Sequence, residues 1–210
     1  MSHTTIPSAD TITLAITGAS GAQYGLRLLD CLLSAGVKVN VMISAAAQIV
    51  IATETDVALP GRADEQQNFL SERYNAKAGQ LSVFGRDQWT SPVASGSNTA
   101  RAMVVCPCSS ATLSSIAVGA SKDLIERAAD VMLKERRQLI LLHREMPVSA
   151  IHLENMLKLS QLGVTIMPAS PGFYHQPTSI EDLIDFVVAH IMDHLELKHD
   201  LIPRWGKTGE

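Results

Sequence analysis

No apolar run in this chain approaches the ~18 residues that a membrane-spanning helix needs, so a helical span is excluded. Basic residues are not in excess. Lys and Arg number 17 against 21 Asp and Glu, the net charge is −4 and the pI is near 6.0. That balance argues against a protein that holds nucleic acid electrostatically. Cysteine is scarce, with only Cys31, Cys106 and Cys108. An odd, small set points to reduced thiols rather than a disulfide framework. Cys106 and Cys108 form a C-x-C pair with no second Cys/His cluster, which is a poor zinc site. The seven histidines show no metal-ligand spacing, so no metal is expected. The opening "MSHTTIPSAD" lacks a basic region followed by an apolar one, so no secretory signal and a cytoplasmic location are expected. What the chain does have is 46% hydrophobic residues over 210 positions. That suffices for the core of one domain, expected to span 1–210 with a loose arm at 1–10 and a tail at 197–210.

Apolar runs alternate with helical patterns. "TITLAIT" (11–17) reads as a buried strand. Leu26, Leu29, Leu32 and Leu33 then recur at three and four residues, and Gly36 supplies a stop. Further strands are expected at 37–43, 81–84, 102–107, 138–143 and 164–168. Helices are expected at 44–54 (with Ser44 as N-cap), 64–74, 109–119, 124–137 and 148–163. Residues 89–100 have the composition of a flexible loop. The last helix opens with Thr178 and Glu181 as a capping box, and its stripe of Ile180, Leu183, Ile184, Val187, Val188 and Ile191 faces a core. His194 and His199 read as surface residues, His152 as a helix-face residue, and Trp205 beside Arg204 as a subunit contact. Continuously apolar strands separated by helices predict an α/β chain with a doubly wound, mainly parallel sheet and helices on both faces. Such sheets bind ligands at the carboxyl ends of their strands.

The loops at those ends are therefore the candidates. Gly18, Ala19, Ser20 and Gly21 join a strand to a helix, where free backbone N–H groups and the helix N-terminus suit an anion. The pattern is neither G-x-G-x-x-G nor a P-loop, and the local residues leave a phosphate site and a plain tight turn equally open. "PCSSAT" (107–112) follows the same logic, with capping of a helix as its alternative. Two such loops at adjacent strand ends favour a mononucleotide. Arg127 and Lys134 lie seven residues apart on one helix face; Arg144 and Glu145 follow the next strand. Arg, Lys and Glu together suit phosphate binding with proton transfer, although a solvated face is the usual reading of such residues. The proline-rich "PASPGFYHQP" (168–177) would hold Tyr174 and His175 in a stiff loop.

"ITGASGAQYGLRLL", "ATETD", "CPCSSATL", "LIERAADVMLKERR", "REMPVSAIHLENM" and "PASPGFYHQPTSIEDLIDFVV" together resemble the UbiX-type flavin prenyltransferases, in order from about residue 11 to 206. The resemblance implies a Rossmann-like flavoprotein fold and a homododecamer. It also implies an activity that joins a dimethylallyl group, usually from dimethylallyl monophosphate, to N5 and C6 of reduced FMN. The product serves UbiD-type decarboxylases in ubiquinone synthesis or on aromatic acids. FMN contacts are implied at Gly18, Ala19, Ser20, Ser44, Ser109, Ser110, Ala111, Thr112 and Arg144. Prenyl-phosphate contacts are implied at Arg127, Lys134, Glu145 and Tyr174. Glu54 and the loop at 94–97, led by Trp89, also match family active-site positions. The implied catalytic residues are Ser20, Glu54, Lys134 and Glu145. Arg127, Lys134 and Glu145 can stabilise and protonate a phosphate leaving group without a metal.

The family usually carries Arg or Lys where this chain has His190. A histidine binds phosphate as a cation only on the acid side of neutrality, so donor binding is expected to weaken between about pH 6 and 8. In the alternative, His190 is a plain helix-face residue. Two rival functions stand beside the resemblance. One is a flavin-dependent cysteine decarboxylase of the same superfamily, whose P-x-M-N-x-x-M segment and early catalytic His are missing. The other is a non-catalytic FMN-binding subunit, against which Glu145, Lys134 and Arg127 argue.

Overall fold

The structure, a computed structural model, describes residues 11–203. Six strands, β1 (Thr11–Ile16), β2 (Lys38–Ile43), β3 (Leu81–Phe84), β4 (Ala102–Cys108), β5 (Gln138–His143) and β6 (Thr165–Pro168), form one sheet in the order β3-β2-β1-β4-β5-β6. Every pairing is parallel. This matches the expected doubly wound sheet, and its order is that of the dinucleotide-binding folds.

Helices cover both faces because each strand is apolar on both. Ile12, Leu14 and Ile16 of β1 enter one core with residues of α1 (Ala22–Ser34), α2 (Ala45–Glu54), α3 (Ala63–Arg73) and α7 (Ile180–His194). Ala15 of β1 and Val105 of β4 enter the other with α4 (Ser110–Ala117), α5 (Leu124–Lys134) and α6 (Ala150–Gln161). Helix α1 lies very close to the sheet. A Cβ on Gly25 would strike the carbonyl oxygen of Cys106 in β4, so no larger residue fits there. The helix stops where Gly36 adopts a left-handed φ of +79°, as its sequence position suggests.

Several local expectations shift. The cap of α7 is Ser179 with Asp182, one residue beyond the expected pair. Ile180 is therefore in the first turn and 69% exposed, while Val187, Val188 and Ile191 are buried. Helix α5 ends at Lys134 rather than 137, because Arg136 turns left-handed (φ +52°) to lead into β5. Residues 89–100 are not featureless; they hold two 3-10 turns, Pro92–Ala94 and Gly96–Asn98. His199 is not a surface residue: its side chain is 4% exposed and pairs with Asp193. The 1–10 arm, Arg204 and Trp205 lie outside the described residues. Among the described residues no helix is long and apolar enough to cross a membrane.

Candidate active site

The sheet order reverses between β1 and β4, and such a switch point opens a crevice beyond the strand ends. Here the crevice is bounded by Gly18–Gly21 after β1 and by Ser109–Thr112 after β4. Thr17 ties the two loops together. Its Oγ1 donates to the Pro107 carbonyl (2.8 Å) and accepts from the Ser109 N–H (2.8 Å).

Both glycines of "TGASG" are required by geometry. A Cβ on Gly18 would strike that of Ala46 in α2, and Gly21 has φ +99° as it turns into α1. Ala19 is buried, so it offers a ligand only its backbone. Helix α1 has no cap from its own N-cap side chain. Glu54, the last residue of α2, serves instead: its Oε2 accepts from the N–H groups of Gly21 (2.8 Å) and Ala22 (3.0 Å). Partial burial of the Glu54 carboxyl opposes its charge. The Ser20 hydroxyl, the Gly21 and Ala22 N–H groups and the Arg144 charge outweigh that and hold it below its ordinary range. Arg144 reaches over to donate from Nε to the Ser20 carbonyl (3.2 Å). Ser20, Glu54 and Arg144 thus line one cleft of about 460 Å³, together with Gln23, Tyr24 and Ile184. At the N-terminus of α1 the acceptor of these N–H groups is thus the protein's own carboxylate.

The other loops converge on the same edge. Ser44 caps α2 by accepting from the Ala47 N–H (3.1 Å). Ser109 caps α4 by accepting from the Thr112 N–H (3.3 Å), with the Thr112 hydroxyl 3.0 Å away. Ser110 donates to Glu145 Oε2 (2.8 Å), and Glu145 Oε1 accepts from the Met146 N–H (3.1 Å). These two bonds hold the Glu145 carboxyl below its ordinary range, helped by Arg144. Ala111 lies between them in the first turn of α4. Neither α2 nor α4 has an acidic residue in its first turn, unlike α3, α5 and α7. Helix N-termini without local acids, rimmed by hydroxyls, fit the phosphate of an FMN.

His143 closes the otherwise apolar β5, where the next strand-end loop begins. Its Nδ1 pairs with the Cys108 carbonyl (3.2 Å). A carbonyl can only accept, so Nδ1 carries the proton. Burial lowers the pKa of this ring, and the neutral imidazole clips the end of β4 to that of β5 just before Arg144. Cys106 and Cys108 are fully buried, and burial pushes the Cys108 thiol up to about 12, so neither thiol is a nucleophile. Among the described residues no group of three metal-ligating side chains occurs.

Arg127 and Lys134 do not join this cluster within the chain. Asp123, Leu124 and Ile125, at the start of α5, border a small cavity with Ser44 at the carboxyl edge. Lys134 ends the same helix, ~15 Å further along it, paired with Glu135. Arg127 donates to the Ala94 carbonyl (3.2 Å) and to Asp130 (2.8 Å). Lys134 and Arg127 thus gather with the 94–97 loop. Tyr174 and His190 form a third group. Tyr174 is 57% exposed and packs with His175 and Phe186, and His190 also packs on Phe186.

Residues 2–192 match the model of the family described as Flavoprotein. The flavin prenyltransferase UbiX of Pseudomonas aeruginosa is 63% identical over 196 residues, 93% of this chain and 94% of that protein. The crystal structure of AnUbiX (PadA1) in complex with FMN and dimethylallyl pyrophosphate superposes with a TM-score of 0.84 and 39% identity. It covers 95% of this chain and 98% of that one. A dodecameric FMN-dependent UbiX-like decarboxylase from Escherichia coli O157:H7 superposes with a TM-score of 0.82 and 36% identity, covering 93% and 98%. An alternating parallel sheet, a switch-point cleft and identity along nearly the whole chain agree: the chain belongs to the flavoprotein family and, within it, to the UbiX flavin prenyltransferases.

Proposed function

We propose that the protein transfers the dimethylallyl group of dimethylallyl phosphate to N5 and C6 of reduced FMN, yielding a prenylated flavin that a UbiD-type decarboxylase uses. The observation that carries this reading is the switch-point cluster of Ser20, Glu54 and Arg144, with the serine-capped starts of α2 and α4 beside it. The bound reduced flavin supplies the nucleophilic N5 and C6. The backbone of Gly18 and Ala19, with Ser44, Ser109, Ser110, Ala111, Thr112 and Arg144, binds and orients it. Ser20 hydrogen-bonds a carboxylate held in its charged form. Its hydroxyl can therefore receive a proton from the flavin edge and pass one to Glu54.

At the donor, bond breaking leaves negative charge on the phosphate, which Lys134 and Arg127 stabilise. Glu145 is held as a carboxylate in the free chain. A phosphate dianion brought against it raises its proton affinity, so Glu145 takes up a proton as the donor binds and returns it to the leaving group. Tyr174 and His190 hold the same phosphate. Because Lys134 lies at the far end of α5 from the switch-point cleft, a complete site requires the α5 end of another copy. This supports a homododecamer, the assembly named for the Escherichia coli relative. All three cysteines are unpaired and buried, which suits a reducing cytoplasm.

The test is to incubate the protein with FMN, a reductant and dimethylallyl phosphate without oxygen, repeat with the diphosphate, and weigh the flavin. A prenyl mass increment is expected. Unchanged flavin, or carbon dioxide released from a peptidyl or pantothenoyl cysteine, would overturn the reading.

A further inference from the structure

Four rings meet where the loop after β6 returns to α7. Centroid separations are 4.5 Å for Tyr174–His175, 5.5 Å for Tyr174–Phe186, 5.7 Å for His175–Phe186 and 4.8 Å for Phe186–His190. Phe186 contacts each of the other three. It is 8% exposed and rooted in the core, whereas Tyr174 is at the surface. Gly172 lies in the same packing. A Cβ there would come within 2.9 Å of Phe186 Cζ and 2.9 Å of Tyr174 Cε1. Its backbone is not left-handed, so conformation does not call for glycine at this position; the space between the two rings does.

We infer that Phe186 is a positioning residue for the donor phosphate, fixing both Tyr174 and His190, and that Gly172 keeps the slot in which Tyr174 seats against it. The inference rests on the assignment of Tyr174 and His190 to the prenyl donor. An exposed tyrosine free to change rotamer loses that freedom when it grips a phosphate, and a ring already seated loses less. The gain therefore appears in donor binding and leaves the flavin and the chemical step untouched.

Gly172→Ala is the deciding variant. The core holds Phe186, so the added methyl displaces the Tyr174 ring. The expected result is a donor KM roughly tenfold higher, with kcat, FMN affinity and thermal midpoint at parental values. Phe186→Leu raises donor KM similarly, at some cost in stability. The double variant is no worse than Phe186→Leu alone, because the methyl then enters space the ring has left. Parental KM in Gly172→Ala while Tyr174→Phe raises it would overturn the positioning role, as would fully additive effects in the double variant. Parental KM in Tyr174→Phe would instead overturn the donor assignment, and this inference with it.

Discussion

Glu54 does two jobs that can be separated. As the cap of α1 it takes N–H bonds from Gly21 and Ala22; as a charged acceptor it faces Ser20. Its pKa is lowered by folding, so its contribution to stability is complete above the ordinary carboxyl value of 4.5 and is lost as pH falls through the lower folded value. In flavin-free protein, Glu54→Gln is expected to cost about 1 kcal/mol at neutral pH and almost nothing in acid well below that value. Urea denaturation at the two pH values checks this, and an equal cost at both would show that the charge is not what stabilises the helix. Ser20→Ala separates flavin contact from proton relay in turn. A relay role predicts slow prenylation with FMN still bound, measured by single-turnover flavin mass and by flavin titration, whereas lost FMN affinity at an unchanged rate would make Ser20 a contact only. His190 gives the third prediction at this scale. Donor KM is expected to fall several-fold in His190→Arg and to rise in His190→Ala, since a guanidinium grips a phosphate in a bidentate way. A donor KM unchanged in both variants would make His190 a packing residue, as its contact with Phe186 alone would suggest.

Among the elements, α1 is the one whose position the site cannot do without, because its first turn carries Gly21 and Ala22 to Glu54. Gly25 lets it settle onto β4. Gly25→Ala forces helix and strand apart and is expected to destabilise the protein by about 1–3 kcal/mol, weakening FMN binding through Ser20 even though residue 25 touches no ligand. Thermal midpoint and flavin affinity, measured together, check it; an alanine tolerated in both would mean that α1 can slide. This close contact was hidden in the sequence, where Gly25 interrupts an otherwise good helical pattern without a visible cause. Continuous apolar runs made the strands legible and 3.6-residue spacing the apolar face of α1, since both are local properties. The first turn of α7 misled because Ile180 continues the stripe in sequence, whereas the helix starts at that residue and leaves its side chain exposed. Glu54 as the cap of α1 was out of reach of pattern alone: the bond spans 33 residues, and only the family resemblance marked that position.

At the scale of the molecule, the separation of Lys134 from the switch-point cleft is the feature that most constrains function. Helix α5 is rigid and one end of it borders Ser44, so no side-chain motion brings Lys134 across its length to Arg144. The surface has a matching peculiarity. Helix α6 leaves Ile151, Leu153 and Leu157 exposed at 66%, 53% and 60%, apolar side chains that a contact between copies would cover. Both facts follow if copies associate and each site draws its flavin side from one chain and its α5 end from another. Glu145→Gln, on the flavin side, and Lys134→Ala, on the α5 end, are then each expected to abolish turnover while leaving FMN binding intact. Co-expressed in equal amounts, the two defective chains assemble at random, and about a quarter of all sites receive both intact halves. Prenyl transfer by the purified mixed assembly should therefore recover to that fraction of the parental rate. A mixed assembly as inactive as its components would place Lys134 and Glu145 in the same chain's site, and would require α5 to lie elsewhere relative to the cleft than its contact with Ser44 allows.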